Sequence, residues 1–324
     1  MNSKQIVEAA IRFETPPRLP YDFPEEYGSD IIYAYVQPHP DAMLSNGVDA
    51  WGAVWRNIGS SDKGEVQEHP LKTWDDLPYL KAPDIKSPAL WASLDGIREQ
   101  AGDRFIIGSG ISLYERVKCI RGLEATWMDI YDHRDALCGL IDLILEMNLE
   151  IIDHFAELGI HGFINYDDWG LQDRLSISPE QWREIWKPRY ARLYEAAHRK
   201  GLYTFLHSCG YIVEILDDLI EVGLDVIQMD QQENMGLELL GERFGGRITF
   251  YSPVDIQKTM AQGNVDDIRR YCRRMAATLG RPTGGFIPKS YTDIAGAGYS
   301  QESLRAMCEE FLTISQEFSA TQCR

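Results

Sequence analysis

His207 and Cys209, two apart in Leu206-His207-Ser208-Cys209-Gly210, are the strongest chemical signal in the chain. Side chains at i and i+2 of a strand point to the same face, so an imidazole and a thiol would project together. Such a pair suits zinc, at distances of about 2.1 and 2.3 Å. The plain alternative is one buried histidine beside one buried cysteine. Zinc needs further ligands, and Asp167-Asp168 closes the strand-like run just upstream. Neighbouring strands lie about 4.8 Å apart, so one of these carboxylates should approach the pair. It would ligate the metal, orient His207 or act as general acid or base; a solvated, inert carboxylate is the alternative. Spacing does not choose between them, and Asp167 and Asp168 both stand as catalytic candidates. Asn165 shares a face with Asp167. Asp230 occupies the same place after the next strand, Tyr251 and Ser252 end the one after, and residues 289–293 follow the last. Asn165, Asp230 and Tyr251 are expected to touch substrate. Tyr114 and Trp169 are expected to add an aromatic wall, although packing in a core is the commoner fate of such rings.

The elements that must position these residues alternate in kind. Short apolar runs over 105–108, 162–167, 202–206, 225–229, 248–251 and 284–287 read as buried strands, and 19–23 as an earlier one. Between them lie helical patterns. Residues 135–157 repeat Ala136, Leu140, Ile144, Met147, Ile151 and Phe155, and the helix after Ser178 opens with Pro179 and places Gln181 at the capping-box position. This cadence predicts an α/β fold with a parallel sheet, a (β/α)8 TIM barrel whose site lies at the C-terminal mouth. No GxGxxG follows the first strand, which counts against a doubly wound sheet. Residues 30–85 break the cadence with Pro38, Pro40, Trp51, Trp55, Pro70 and Trp74. They read as an N-terminal insertion over one mouth, containing a hairpin of 54–56 and 65–67 around a turn at 59–64. The whole of 1–324 is expected to form a single domain.

Composition narrows the function classes. With 32 basic against 50 acidic residues the formal charge is -18, which argues against nucleic acid and anionic membranes as partners. Six irregularly spaced cysteines without a CxxC, four of them in helical segments, predict free buried thiols and no disulfide framework. Residues 1–13 place Ile6, Ala10 and Phe13 at helical spacing and lack a continuous apolar core of a leader. A cytoplasmic enzyme is expected.

At this point the chain resembles the uroporphyrinogen decarboxylase superfamily, which includes the corrinoid-dependent methyltransferases. The resemblance rests on Trp51-Gly52-Ala53-Val54-Trp55, Glu68-His69-Pro70-Leu71 with Trp74, Asp167-Asp168-Trp169-Gly170, Ile177-Ser178-Pro179-Glu180, Lys187-Pro188-Arg189-Tyr190 and, above all, 206–210. It implies a (β/α)8 barrel. True decarboxylases of the superfamily carry Met-Arg-Gln-Ala-Gly-Arg near the N-terminus; here the corresponding segment, 12–27, lacks it. The methyltransferase branch holds zinc with His-x-Cys and a later Cys. His207 and Cys209 match the first two positions, but residues 285–293 hold no cysteine. A carboxylate such as Asp167 or Asp168 is expected to take the vacant position, making the metal harder and more Lewis acidic. The resemblance thus implies a zinc-assisted methyltransferase that moves a methyl group between a small methylated compound, an aryl methyl ether for example, and cobalamin carried on a corrinoid protein. That activity is an O-demethylation when the donor is an ether. A decarboxylase or lyase acting on a carboxylated substrate is the alternative, and a homodimer is admitted.

Overall fold

The computed structural model describes residues 1–59, 63–291, 294 and 296–322, the side chains of 319–322 excepted. The 60–62 part of the expected turn, Thr292, Asp293 and Cys323 lie outside the described residues.

Seven parallel strands form one sheet: β1 (Ile31–Ala34), β5 (Phe105–Ser109), β6 (Gly162–Tyr166), β7 (Tyr203–His207), β8 (Val226–Gln228), β9 (Thr249–Ser252) and β10 (Phe286–Pro288), hydrogen-bonded in that order. The chain is a TIM-barrel-like α/β fold, as the alternating cadence predicts. Between β1 and β5, the strands β2 (Gly47–Val48), β3 (Val54–Arg56) and β4 (Glu65–Glu68) make a separate antiparallel sheet. The expected pairing of 54–56 with 65–67 is therefore present, with a third strand added.

One strand is misplaced by the sequence reading. The run 19–23 does not form a ladder; Pro20 within it and Pro24 just after it lack N–H donors. Instead Asp22 alone bridges antiparallel to Ser29 and parallel to Lys289, joining the two edges of the sheet. Its N–H donates to the Pro288 carbonyl at 3.0 Å, and its carbonyl accepts from Ser290 N at 2.9 Å. The strand at that edge is β1, within the stretch expected to be irregular.

Alternation along the strands fills the interior. Ile31, Phe105, Ile107, Ile164, Phe205, Val226, Tyr251 and Ile287 pack together with Val7 and Ile11 of the helix Ser3–Ile11, which stoppers the end opposite the mouth. Gly284 permits that plug: its φ is +129°, and a Cβ there would press against the backbone of Ala10. The intervening positions, such as Ile106, Phe163, Leu206, Ile227, Phe250 and Phe286, face the helices in the outer core. Because both faces of a parallel strand are apolar, these runs look continuous in sequence.

The region 35–56 docks where β5 ends. Arg116, 1% exposed, donates to Asp41 and Asp49, each at 2.7 Å, and His39 meets the Ser109 carbonyl at 3.1 Å. Among the described residues, no helix is long and apolar enough to cross a membrane.

Candidate active site at the barrel mouth

Continuing the interior alternation past the strand ends brings polar side chains to the mouth. On β7, Tyr203, Phe205 and His207 share one face. His207 is in register with Tyr166 on β6 and with Gln228 on β8, and Gln228 with Tyr251 on β9. Asp168, Cys209, Asp230 and Lys289 each lie two residues beyond one of these interior positions.

Asp168, His207 and Cys209 converge. Each offers a ligand atom within 4.8 Å of the others, and among the described residues they are the one such group of three. His207 Nε2 lies 3.3 Å from Asp168 Oδ1 and 3.4 Å from Cys209 Sγ. Asp168 Oδ1 also accepts the Cys209 N–H at 2.8 Å, so the carboxylate is aimed by the loop that carries the thiol. Two glycines lock these loops together. A Cβ on Gly170 would strike the backbone of Cys209 to Tyr211, and one on Gly210, at φ +75°, the carbonyl of Gly170.

A relay behind His207 fixes its ring. Nδ1–H donates to Gln228 Oε1. Gln228 presents that oxygen because its Nε2 donates to Asp230 Oδ1 at 2.6 Å, and Asp230 Oδ2 accepts from Tyr291 OH at 2.5 Å. Nε2 is therefore left facing the thiol and the carboxylate. Burial alone would lower the His207 pKa, but Cys209 and Asp168 raise it well above the ordinary value. For Asp168, burial pushes upward and is outweighed by His207 and the Cys209 N–H, so its carboxyl stays well below the usual range. Burial raises the Cys209 thiol, opposed by His207.

The donor set fits a zinc ion: one imidazole nitrogen, one sulfur and one carboxylate oxygen, with the second ring nitrogen held by a hydrogen-bonded partner. Tyrosines lie beside His207 and on the neighbouring strands. Tyr33 and Tyr35 stack at 5.4 Å, Tyr35 OH meets Tyr166 OH at 3.3 Å, and Tyr166 lies 5.6 Å from the His207 ring. Tyr33 OH and Tyr251 OH are 2.9 Å apart, and Tyr251 OH donates to Asp22. Burial pushes the Tyr33, Tyr166 and Tyr251 hydroxyls well up, keeping them protonated. Lys289 is 6% exposed, its pKa lowered by burial against the pull of Asp230 and Asp22.

Of the residues singled out from sequence, Asp168, His207, Cys209, Asp230 and Tyr251 meet at the mouth. Asp167, Asn165, Tyr114 and Trp169 do not; all are fully buried on the outward side. Asp167 accepts the N–H groups of Leu113, Tyr114 and Glu115 at 3.2, 2.7 and 3.0 Å, together with Asn165 Nδ2 at 2.9 Å and Tyr190 OH at 2.6 Å. It thus caps the helix Glu115–Arg121 from within. Tyr114 stacks on Trp169 at 4.1 Å, and Trp186 closes on both. Sequence reading passed over Tyr33, Tyr35, Tyr166, Gln228 and Asp22. Gln228, a lone amide inside the apolar run 226–229, was the available signal.

Residues 57–291 match the model of the family described as Uroporphyrinogen decarboxylase (URO-D). The chain belongs to that family. Asp168, His207, Cys209, Gln228, Asp230, Lys289 and Tyr291 fall within the URO-D match, whereas Asp22, Tyr33 and Tyr35 precede it. No curated protein matches the chain by sequence. Among solved structures, a methyltransferase from Methanosarcina mazei superposes with a TM-score of 0.70 at 17% identity, covering 97% of this chain and 99% of that one. A D-allulose 3-epimerase from Methylomonas sp. gives 0.45 at 15% identity, over 70% of this chain and 82% of its own. Xylanase 10B from Thermotoga maritima gives 0.42 at 11%, over 70% and 81%. At these identities the likenesses concern the fold alone.

Proposed function

We propose that this member of the URO-D family is a zinc-assisted methyltransferase that takes a methyl group from a small methylated compound, such as an aryl methyl ether, and delivers it to a corrinoid protein. The observation that carries the reading is the convergence of Asp168, His207 and Cys209 at the mouth, with the imidazole fixed by Gln228. His207 Nε2, Cys209 Sγ and an Asp168 oxygen would hold the ion. When bound, zinc supplies Lewis acidity toward a methyl-bearing oxygen or nitrogen. Cys209 offers the one sulfur in the described ligand set, so the set is harder than the two-thiolate pattern of the family's methyltransferase branch, and harder sets suit oxygen or nitrogen. Gln228 and Asp230 hold the imidazole in the orientation that keeps Nε2 available. The tyrosines close a ring-lined, hydrogen-bond-donating wall around the substrate.

The decarboxylase alternative has less support. A porphyrinogen with many carboxylates calls for many cations, and the lysines whose charge acts on the mouth carboxylates are Lys289 and Lys118. Metal analysis and methyl transfer test the proposal together. Purified protein is expected to carry about one zinc per chain, His207→Ala to lose it, and the wild type to methylate cob(I)alamin from a panel of methyl ethers and amines. Full zinc content in His207→Ala, or CO2 release from carboxylated compounds with no methyl transfer, would sink it.

A further inference from the structure

Lys289 is left over by the reading above. It follows β10 on the interior face, 94% shielded from solvent, yet its ammonium makes no hydrogen bond or ion pair among the described residues. Its contacts are ring faces: Nζ lies 3.9 Å from the centroid of Tyr291 and 5.2 Å from that of Tyr251. Two carboxylates are near enough to act on its charge, but both are committed elsewhere. Asp22 accepts from Tyr251 OH and from Ser29 Oγ at 2.8 Å. Asp230 accepts from Gln228 and Tyr291. A buried ammonium without an acceptor is costly, and an anionic ligand would offset that cost by supplying one.

We propose that the Lys289 ammonium receives the carboxylate of a small, flat methylated acid, so that the enzyme selects anionic over neutral methyl donors. The methyl part of this statement rests on the methyl-transfer reading; the anion part does not. Three features set the ligand class. One ammonium flanked by rings suits a single compact anion, whereas a phosphoryl group is ordinarily met by a fork of arginine donors or a run of backbone N–H groups. The faces of Tyr291 and Tyr251 beside Nζ suit a flat ligand that can lie against a ring. Along the sheet, β10 and β7 are three strand spacings of about 4.8 Å apart, shortened by curvature. A single aromatic ring with a carboxylate at one end and a methyl-bearing oxygen at the other can span from the ammonium to the ligand triad.

The test is calorimetric titration of the full-length, zinc-loaded chain with matched pairs: 3- and 4-methoxybenzoate against the corresponding neutral methoxybenzamides. The wild type is expected to bind a benzoate at least tenfold more tightly than its amide. Lys289→Met, which keeps an unbranched side chain one atom shorter and without charge, should bring that ratio close to one, chiefly by weakening the benzoate, and Lys289→Arg should keep a preference for the acid. Melting curves establish that the variants are folded; should Lys289→Met not fold, the wild-type ratio and the arginine variant still decide. Equal affinity for acid and amide, an unchanged ratio in Lys289→Met, or binding of neither member of any pair overturns the proposal. A carboxylate preference without methyl transfer to cob(I)alamin would defeat the proposed function alone. Methyl transfer from neutral ethers, indifferent to Lys289→Met, would defeat this inference alone.

Discussion

Asp167 and Asp168 are separated by one peptide bond and live in different worlds. Asp167 turns outward into a sealed chamber of Tyr114, Trp169, Trp186 and Tyr190, where every described partner is a hydrogen-bond donor. Asp168 turns inward to the mouth, its side chain 43% exposed, facing an imidazole and a thiol. Burial drives the Asp167 carboxyl pKa up against the pull of Tyr190 and three backbone N–H groups, while His207 holds that of Asp168 down. The two share a sequence neighbourhood and a charge, and strand alternation alone sends one into the outer core and the other to the mouth.

The comparison breaks most visibly at Asp167. Asp167→Ala strands five donors in a dry chamber, and unfolding by denaturant should show a loss of about 3–5 kcal/mol. Zinc content, measured on whatever fraction remains folded, should be little changed. Asp168→Asn should give the mirror image: stability within about 1 kcal/mol of wild type, with zinc affinity reduced roughly 100-fold or more when a charged ligand is removed. If Asp167→Ala is silent in stability, or Asp168→Asn silent in metal content, the division between the two is wrong. Gln228→Leu sharpens the contrast within the mouth. Losing the partner of Nδ1 should weaken zinc by roughly 10–100-fold in a competition titration with a chelator, with all three ligands intact.

The smallest effect lies at the stoppered end, in a cavity of about 410 Å3 lined by Lys4, Arg98, Arg104 and His161. Here the histidine behaves opposite to His207: burial, then Lys4 and Arg98, lower its pKa to about 4. Its Nδ1 accepts the Ile106 N–H at 3.0 Å, which requires the neutral ring. Because the folded value lies below the free value of about 6.5, the unfolded chain binds the proton first as pH falls. His161 therefore subtracts stability progressively from pH 6.5 down to 4, by about 1 kcal/mol once solvent screening is allowed for. His161→Asn, which keeps an acceptor, should flatten that part of the pH–melting profile.

Much of this was legible in the sequence, for reasons that can be named. The strands from 105 onward were readable because turn signals and helical periods punctuate them. His207 and Cys209 were readable because a strand end and a following glycine framed them. What misled was the double-sided burial of parallel strands. With Ile164 and Phe163 equally apolar, nothing local shows which of Asp167 and Asp168 faces inward. Tyr33 and Tyr35 were hidden because β1 sits in a stretch rich in proline and tryptophan, far from the other strands in sequence. Gln228 became meaningful only when its register beside His207 was known, and register is a property of pairing, not of a run.

The bridge at Asp22 has a consequence for how the molecule comes into being. Among the described residues, the two ends of the sheet are bridged backbone to backbone where this residue joins Lys289, a contact between the opening of the chain and its last strand. A contact of such sequence separation must bear its loop-closure entropy before it is rewarded, so it forms late. Because β10 is the last strand of the chain, this bridge cannot form until nearly all of the chain has been made. The same residue holds Tyr251, and its partner strand delivers Lys289. The polar mouth is thus completed by the contact that joins the two ends of the sheet, so its assembly is tied to the end of folding.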